Sequence, residues 1–229
     1  MANSSLPVIN RDFPRVDPSK LEPWRTITAA TAHEAMGRRG AMDSSIRPIG
    51  QGMRTHGLAF TCVCEPGDNL TLHAALKLAR PGDVIVCSAG GFTEQGSFGD
   101  VMSSCAQAKG IAGLIIDSGV RDVAVIRQMG FPIFSKSVCM KGTVKESLGP
   151  INVPITIGGV LVNPGDLIVA DDDGVVVVPA AEIDDIAVAC KAREEKEARA
   201  RARFTPEVTT WEVSGWGDRL KAKGIELDL

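Results

Sequence analysis

Two aspartates and an arginine stand at matching points of two neighbouring strand–helix units. Asp100 opens a helical pattern that follows the apolar run 84–87 and a glycine-rich loop, and Arg121 and Asp122 open the helical pattern after the next apolar run. If the two strands are adjacent and parallel, both loops leave the same sheet edge, where open α/β folds bind ligands. Two carboxylates there can hold a divalent cation, and the guanidinium an anion. The spacing predicts a metal-assisted reaction on a small acidic substrate.

Arg121 is a further argument for a site that binds a metal and an anion. An aspartate in the first turn of a helix is, by itself, only a favourable partner of the helix dipole, worth ~0.3–1 kcal/mol. An arginine there opposes the dipole, so we expect Arg121 to face an anion, with a plain Arg–Asp ion pair as the alternative. Because Mg²⁺ keeps several waters and takes only one or two protein carboxylates, Asp122 is the candidate direct ligand and Asp100 the candidate ligand through water.

The loop of residues 89–99 contains four glycines. A glycine-rich turn between strand and helix lets backbone N–H groups converge on an anion, assisted by the helix dipole. Nucleotide binding is the competing interpretation, but the loop contains neither G-x-G-x-x-G nor G-K-[ST]. We therefore expect a small carboxylate at the amides of Gly99, Asp100, Val101 and Met102. A tight turn without a ligand is the alternative.

Composition limits the class of protein. Hydrophobic residues make up 44% of the 229 residues, which is enough for a core, and 25 basic against 28 acidic residues give a net charge of −3. This balance argues against an extended nucleic-acid surface. The six cysteines lack zinc-ligand spacing, and no apolar stretch has the length of a signal peptide or membrane span. We expect a cytoplasmic protein with reduced thiols, no membrane contact and no nucleic-acid partner.

The elements around the candidate site predict an α/β fold. Residues 1–24 are polar and proline-containing, which indicates an N-terminal arm, and residues 25–180 carry the signals of a catalytic core. The β-α-β-α-β pattern over residues 81–138 predicts parallel strands with right-handed crossovers. The β-branched runs after Lys141 predict antiparallel ribbons. The core is therefore expected to be layered around a parallel or mixed sheet.

Local signals place the smaller elements. Thr31 and Glu34 form a possible capping box for a helix over residues 31–39. A second, amphipathic helix is expected over 70–78. Residues 117–120 are predicted to turn before the helix opened by Arg121, and the acidic run 171–174 is predicted to be a strand-to-strand turn rather than a calcium loop.

Residues 181–229 are predicted to be a C-terminal helical extension for oligomer contacts. The helix over 180–204 has a narrow apolar stripe and is otherwise charged. Its tail holds Trp211 and Trp216, and large aromatics on terminal extensions are more often interface anchors than solvent-exposed residues.

Three sequence motifs together resemble the RraA-like family: Gly99-Asp100 followed after twenty residues by Arg121-Asp122, the segment 116–122, and the segment 171–179. Within that family the chain looks like the metal-dependent 4-hydroxy-4-methyl-2-oxoglutarate / 4-carboxy-4-hydroxy-2-oxoadipate aldolases, the class II pyruvate aldolases of aromatic catabolism. The family also includes regulators that bind RNase E, which are typically shorter. The additional helix and tail favour the aldolases. Ser118 stands where the family pattern has glycine, a change expected to affect the pocket wall.

The resemblance implies a fold of swivelling β/β/α type in a homotrimer or homohexamer, with the site at the subunit boundary. It implies that Asp122 binds Mg²⁺ or Mn²⁺ directly and that Asp100 holds the ion through water. Arg121 would hold the keto or enolate oxygen, and the amides of residues 99–102 the pyruvyl carboxylate. Glu197 of a neighbouring subunit, chosen among several glutamates, would complete the water shell.

The implied activity is cleavage of a 4-hydroxy-2-oxo acid into pyruvate and a second 2-oxo acid, with oxaloacetate decarboxylation as a side activity. A Schiff-base aldolase is the chemical alternative. It needs a desolvated lysine, and no lysine occurs between Asp83 and Met102. A non-catalytic regulator that binds RNase E is the alternative outside enzyme function.

Overall fold

The computed structural model describes residues 6–225 and 227. These residues fall into two compact units, one ending at Ala187 and one beginning at Val188. The strands are β1 (Arg47–Pro48), β2 (Thr55–Val63), β3 (Val84–Ser88), β4 (Gly113–Val120), β5 (Ile133–Val138), β6 (Ile155–Ile157), β7 (Val160–Val162), β8 (Leu167–Asp171) and β9 (Gly174–Val178). The helices are α1 (Ala29–Ala35), α2 (Leu70–Leu78), α3 (Asp100–Ala108), α4 (Val123–Met129), α5 (Ile183–Arg201), α6 (Thr210–Ser214) and α7 (Trp216–Lys221), with 3₁₀ helices over Pro18–Arg25 and Ala180–Glu182.

A seven-stranded mixed sheet forms the centre of the larger unit. Its strand order is β1-β5-β4-β3-β2-β8-β9. The four strands β2 to β5 are parallel, and α2, α3 and α4 connect them in turn. β8 and β9 form an antiparallel hairpin, and β6 and β7 a separate one. The α/β class, the parallel units and the later antiparallel ribbons are as the sequence predicted.

The neighbouring position of β3 and β4 brings the two chemically informative loops to one sheet edge. Val84 pairs with Gly113 and Cys87 with Ile116, so the two strands are parallel neighbours, and β4 continues beyond this pairing to Val120. All residues from Val84 to Cys87 are buried, as expected for a central strand covered on both faces. The loop before α3 and the segment before α4 therefore leave the sheet side by side.

Two predicted boundaries are wrong. α1 spans Ala29–Ala35 and not the predicted residues 31–39. It begins two residues before Thr31, because the side chain of Thr28 accepts a hydrogen bond from the N–H of Thr31 (3.2 Å) and Thr28 is the N-cap. Residues 117–120 belong to β4 rather than to a turn. A register irregularity after Ile116 is followed by renewed pairing of Gly119 with Ser137 and of Val120 with Val138.

Much of the segment predicted to be an N-terminal arm packs on the larger unit. Phe13 and Trp24 are buried, and the ring of Phe13 contacts that of Phe60 edge-on, with 6.4 Å between centroids. Arg15 donates two hydrogen bonds to the buried carboxylate of Asp83, at 2.5 and 2.9 Å. Residues 1–5 of the predicted arm lie outside the described residues.

Replacing Arg15 with methionine is expected to destabilise the protein by about 3 kcal/mol, because a carboxylate that is 1% exposed loses its bidentate partner. Arg25→Met is the matched control, since Arg25 forms an exposed ion pair with Glu22 and such pairs contribute little. Urea unfolding of the two variants measures the difference. Equal losses would show that the Arg15 pair is no more than a surface contact.

The smaller unit contains most of α5 together with α6 and α7. Thr209 and Glu212 form a capping box at the start of α6, and the guanidinium of Arg219 lies 4.9 Å from the ring centre of Trp216. The predicted long helix is present as α5, preceded by a 3₁₀ turn. Its function in oligomer contacts stays a prediction. Among the described residues, no helix combines the length and apolar character needed to span a bilayer.

Candidate active site

The glycines of loop 89–99 allow it to lie directly against the end of β4. Gly96 and Gly119 form a β-bridge, and the N–H of Ser97 donates to the carbonyl of Gly119 at 2.8 Å. A Cβ atom at Gly119 would lie 2.3 Å from the carbonyl oxygen of Gln95, and one at Gly96 would lie 2.4 Å from that of Cys139. These two glycines therefore serve close backbone packing.

Two side chains of β4, those of Asp117 and Ser118, attach the glycine-rich loop to the sheet. The carboxylate of Asp117 accepts hydrogen bonds from the N–H groups of Ala89 (2.6 Å) and Gly91 (3.2 Å). Ser118 is fully buried and donates to the carbonyl of Phe92 at 2.7 Å. Ser118 therefore fixes the loop and does not line the cavity described below, contrary to the expectation for this position.

The predicted residues Asp100, Arg121 and Asp122 meet beside Gly99. Asp122 Oδ2 lies 3.4 Å from the N–H nitrogen of Asp100 and 3.3 Å from Arg121 Nε. A Cβ atom at Gly99 would lie 2.4 Å from the same Oδ2 atom. The two loops thus converge as the strand topology requires, and only glycine leaves room for the carboxylate. The Arg–Asp ion pair weighed as an alternative is also present.

The backbone of Asp122 is unusual. Its φ and ψ of 56° and 30° lie in the left-handed region, and its side chain does not cap α4 although it occupies the N-cap position. Positive φ is uncommon outside glycine, and such residues cluster at functional sites. The conformation directs the carboxylate towards the start of α3 instead of its own helix. Nothing in the sequence predicted it.

The four amides expected to bind a carboxylate are not equally available. The N–H of Asp100 lies near Asp122, as described above, and the N–H of Val101 donates to Asp100 Oδ1 at 2.8 Å. Within residues 6–225 and 227, the N–H groups of Gly99 and Met102 donate to no other group. Those two amides are the better candidates for an anion. The side chain of Arg121 likewise has no partner except Asp122 in that part of the chain.

An open cavity of about 310 Å³ lies in front of Gly99, Asp100 and Arg121, while Asp122 lies behind Gly99 and does not line it. Its lining includes Gly99, Asp100, Val101, Met102 and Arg121. Asn69 and His73 of the α2 region and residues 142, 143 and 145 after β5 also line it. Asn69, His73 and Lys145 were not identified from the sequence as site residues. The topology contains the signal: α2 follows the carboxyl end of β2, which neighbours β3, so its start lies at the same edge.

A larger cavity of about 750 Å³ lies at the amino end of β5 and includes residues 48–54, Gly130 and Pro132. Its two arginines already donate to backbone carbonyls, Arg54 to Ile27 and Arg127 to Ile49. None of the predicted chemical groups lines it. We therefore place the candidate active site in the smaller cavity.

The donor set at the site is suited to a hard divalent cation. Asp100 and Asp122 offer carboxylate oxygens, the ligands that Mg²⁺ and Mn²⁺ prefer. The described residues contain no cluster of three or more acidic, histidine or cysteine side chains arranged for a metal. Waters, substrate oxygens or a second chain would have to supply the other ligands of an ion bound here. Glu197, predicted to serve from a neighbouring subunit, lies in the smaller unit and pairs with Arg193 (2.9 Å) and Arg201 (3.5 Å).

Comparison with known proteins identifies the family of this chain. A family model described as RraA-like, Aldolase/RraA, matches residues 28–177. A protein of Halalkalibacterium halodurans provisionally named 4-hydroxy-4-methyl-2-oxoglutarate aldolase is 37% identical over 180 residues, which is 78% of this chain and 86% of that protein.

Two solved structures are similar to this chain over most of its length. An uncharacterised protein from Pseudomonas syringae superposes with a TM-score of 0.78 at 27% identity, covering 93% of this chain and 100% of the other. Streptomyces coelicolor RraAS2, described as an unusual member of the RNase ES inhibitor RraA family, superposes with a TM-score of 0.73 at 32% identity, covering 83% and 100%. This chain belongs to the RraA-like family.

Proposed function

We propose that the protein is a divalent-metal-dependent aldolase that cleaves 4-hydroxy-2-oxo acids into pyruvate and a second 2-oxo acid. The observation that carries the proposal is the convergence of Asp100, Arg121 and Asp122 around Gly99, beside a cavity that Gly99, Asp100 and Arg121 line. The name given to the Halalkalibacterium relative supports the same reaction class. The acids 4-hydroxy-4-methyl-2-oxoglutarate and 4-carboxy-4-hydroxy-2-oxoadipate are the substrates we propose.

In this proposal the substrate binds by its pyruvyl end. The N–H groups of Gly99 and Met102 hold its carboxylate at the start of α3, where the helix dipole favours an anion. The guanidinium of Arg121 holds the 2-oxo oxygen. Negative charge grows on that oxygen as the C3–C4 bond breaks, so a preorganised cation there stabilises the transition state more than the ground state.

In this proposal the two aspartates hold the metal, and Asp100 also orients the water that takes the proton of the 4-hydroxyl group. Asp122 would bind Mg²⁺ or Mn²⁺ directly and Asp100 through water. When bound, the ion supplies Lewis-acid stabilisation of the charge developing on the 2-oxo oxygen. Asp100 Oδ1 accepts from the N–H of Val101, which leaves Oδ2 to orient a water that takes the proton of the 4-hydroxyl group and then returns a proton to C3 of the enolate to give pyruvate. The same charge stabilisation would support oxaloacetate decarboxylation.

Removing divalent metal is expected to abolish pyruvate release from 4-hydroxy-4-methyl-2-oxoglutarate, and Mg²⁺ or Mn²⁺ is expected to restore it. A coupled assay for pyruvate after treatment with EDTA measures both effects. Lys145 lines the cavity, so borohydride trapping in the presence of pyruvate is the necessary companion experiment. Activity that survives chelation together with a trapped adduct at Lys145 would establish Schiff-base chemistry and overturn the proposal.

Two further parts of the proposal follow from the resemblance: assembly as a homotrimer or homohexamer, and entry of Glu197 into the site of a neighbouring subunit. The second candidate function is a non-catalytic regulator of a ribonuclease, which the likeness to RraAS2 favours. Direct binding to RNase E, unaffected by Asp122→Ala, would distinguish a regulator from an aldolase.

A further inference from the structure

The cavity at the amino end of β5 has the composition of a ligand pocket. Its volume of about 750 Å³ is in the usual range for sites that bind small molecules. Its cations are the guanidinium groups of Arg54 and Arg127. A pocket with an apolar lining and a few charged groups suits an organic ion. The apolar side chains of the lining are those of Pro48, Ile49, Met53 and Pro132.

Both guanidinium groups are held in place by backbone carbonyls. Arg54 Nη2 donates to the carbonyl of Ile27, which comes just before the N-cap of α1. Arg127 Nε donates to the carbonyl of Ile49 at 2.5 Å. Each guanidinium keeps several further N–H donors. A bond to a neutral carbonyl therefore orients the group and leaves both its charge and most of its donors for another partner.

The charges of the two arginines are not paired within the part of the chain that the structure describes, where no carboxylate lies at ion-pair distance from either. Asp172 also lines the cavity, but its carboxylate accepts from the N–H of Gly52 at 2.9 and 3.0 Å.

One donor of Arg54 lacks a partner altogether. Its Nε atom is buried and has no hydrogen bond to any described residue. Leaving a buried donor unsatisfied costs about 1–3 kcal/mol, and more when the group is charged. Because native proteins seldom leave such groups open, an unpaired guanidinium that lines a cavity indicates an acceptor from outside the chain. An anion would satisfy both the donor and the charge.

We propose that Arg54 and Arg127 bind a small organic oxyanion in this cavity, a carboxylate or phosphate group on an apolar body. The planar guanidinium matches the oxygens of either group, and the apolar side chains would cover the body. The site is separate from the candidate active site. Asp122 stands at the N-terminal end of α4, whereas Gly130 at its C-terminal end lines this cavity. The inference does not depend on the proposed aldolase reaction.

Calorimetric titration with benzoate, phenyl phosphate and benzamide tests the proposal on the wild-type protein. The three probes share a benzene ring, and benzamide is the neutral counterpart of benzoate. We expect at least one of the two anions to bind at least about 10-fold more tightly than benzamide, since a hydrogen bond to a charged group contributes ~1.5–3 kcal/mol. The tighter of the two anions identifies the oxyanion that the site prefers. Binding of neither anion, or equal binding of all three probes, would overturn the proposal.

Arg54→Met and Arg127→Met locate the bound anion, because methionine removes the charge and keeps an apolar side chain. Each variant should bind the preferred anion at least about 10-fold more weakly. The side chain of Arg127 is exposed, so its variant should stay folded and decides the test if thermal unfolding shows that Arg54→Met does not. Arg47→Met is the matched control, since exposed Arg47 also donates to backbone carbonyls but lies outside the cavity lining.

Two other results would assign the arginines differently. If the anion is lost in Arg121→Met and kept in Arg127→Met, it binds in the candidate active site and the proposed site is wrong. Light scattering of Arg127→Met addresses a contact between copies of the chain. A changed oligomeric state with unchanged anion binding would place the arginines in such a contact and exclude the anion site.

Discussion

Gly99→Ala is expected to lower kcat/KM for pyruvate release by at least about 100-fold while the protein remains folded. The added Cβ atom would lie 2.4 Å from Asp122 Oδ2 and 3.1 Å from Arg121 Nε. Both side chains are proposed to act in the reaction, and a displacement of about 1 Å can cost 10²-fold in rate. The φ of Gly99 is −129°, which alanine adopts without strain. The loss should therefore come from the site and not from the backbone.

Gly142→Ala is the matched control for this variant. Gly142 lines the same cavity, but a Cβ atom there meets nothing within 4 Å. Its kcat/KM should stay close to that of the wild type. Steady-state kinetics and thermal unfolding of both variants check the comparison. If Gly99→Ala were as active as Gly142→Ala, the packing of Asp122 against Gly99 would have no catalytic meaning.

Arg121→Lys is expected to reduce kcat by about 10²–10³-fold, the usual effect of losing one oxyanion donor. Lysine keeps the positive charge but loses the planar fork that can contact a carbonyl oxygen and a neighbouring anion together. Because the interaction strengthens as charge develops, the loss should appear mainly in kcat and only weakly in KM.

The stability of Arg121→Lys should be nearly unchanged. The wild-type side chain is half-exposed and pairs only with Asp122 among the described residues, and such pairs contribute ~0–1 kcal/mol. Arg25→Lys, at an exposed pair outside the site, controls for general effects of the substitution. Near-native turnover in Arg121→Lys would contradict its proposed role at the 2-oxo oxygen.

The part of the site that could be predicted follows from topology. Apolar runs joined by helix-length connections imply parallel neighbours, and parallel neighbours bring Asp100 and Asp122 together whatever the detailed loop structure. Asn69 and Lys145 follow β2 and β5, the parallel neighbours of β3 and β4. They were missed because neither stands in a local sequence pattern that indicates a ligand site. Lys145 lies outside the segment from Asp83 to Met102. The absence of lysine from that segment therefore does not exclude a lysine in the cavity.

Local signals failed where tertiary structure opposed them. The sequence Asp117-Ser118-Gly119 has turn composition, but pairing with β5 and hydrogen bonds to the glycine-rich loop make it the end of a strand. Phe13 and Trp24 are isolated apolar residues in a polar segment, so no periodicity indicated their burial. The left-handed backbone of Asp122 is imposed by its surroundings, since aspartate alone shows no strong preference for it.

The attachment of residues 144–147 through Asp68 has an evolutionary consequence. The groups proposed to break the bond stand on the connections after β3 and β4, whereas Lys145, which lines the same cavity, stands on a separate segment. The Asp68 carboxylate and backbone hydrogen bonds of Val144 attach that segment to the chain before α2. Mutations in that segment can alter the accepted tail of an acid while the bond-breaking groups keep their geometry. Such a division lets the substrate range change through substitutions in a short segment, without changes in the groups proposed to break the bond.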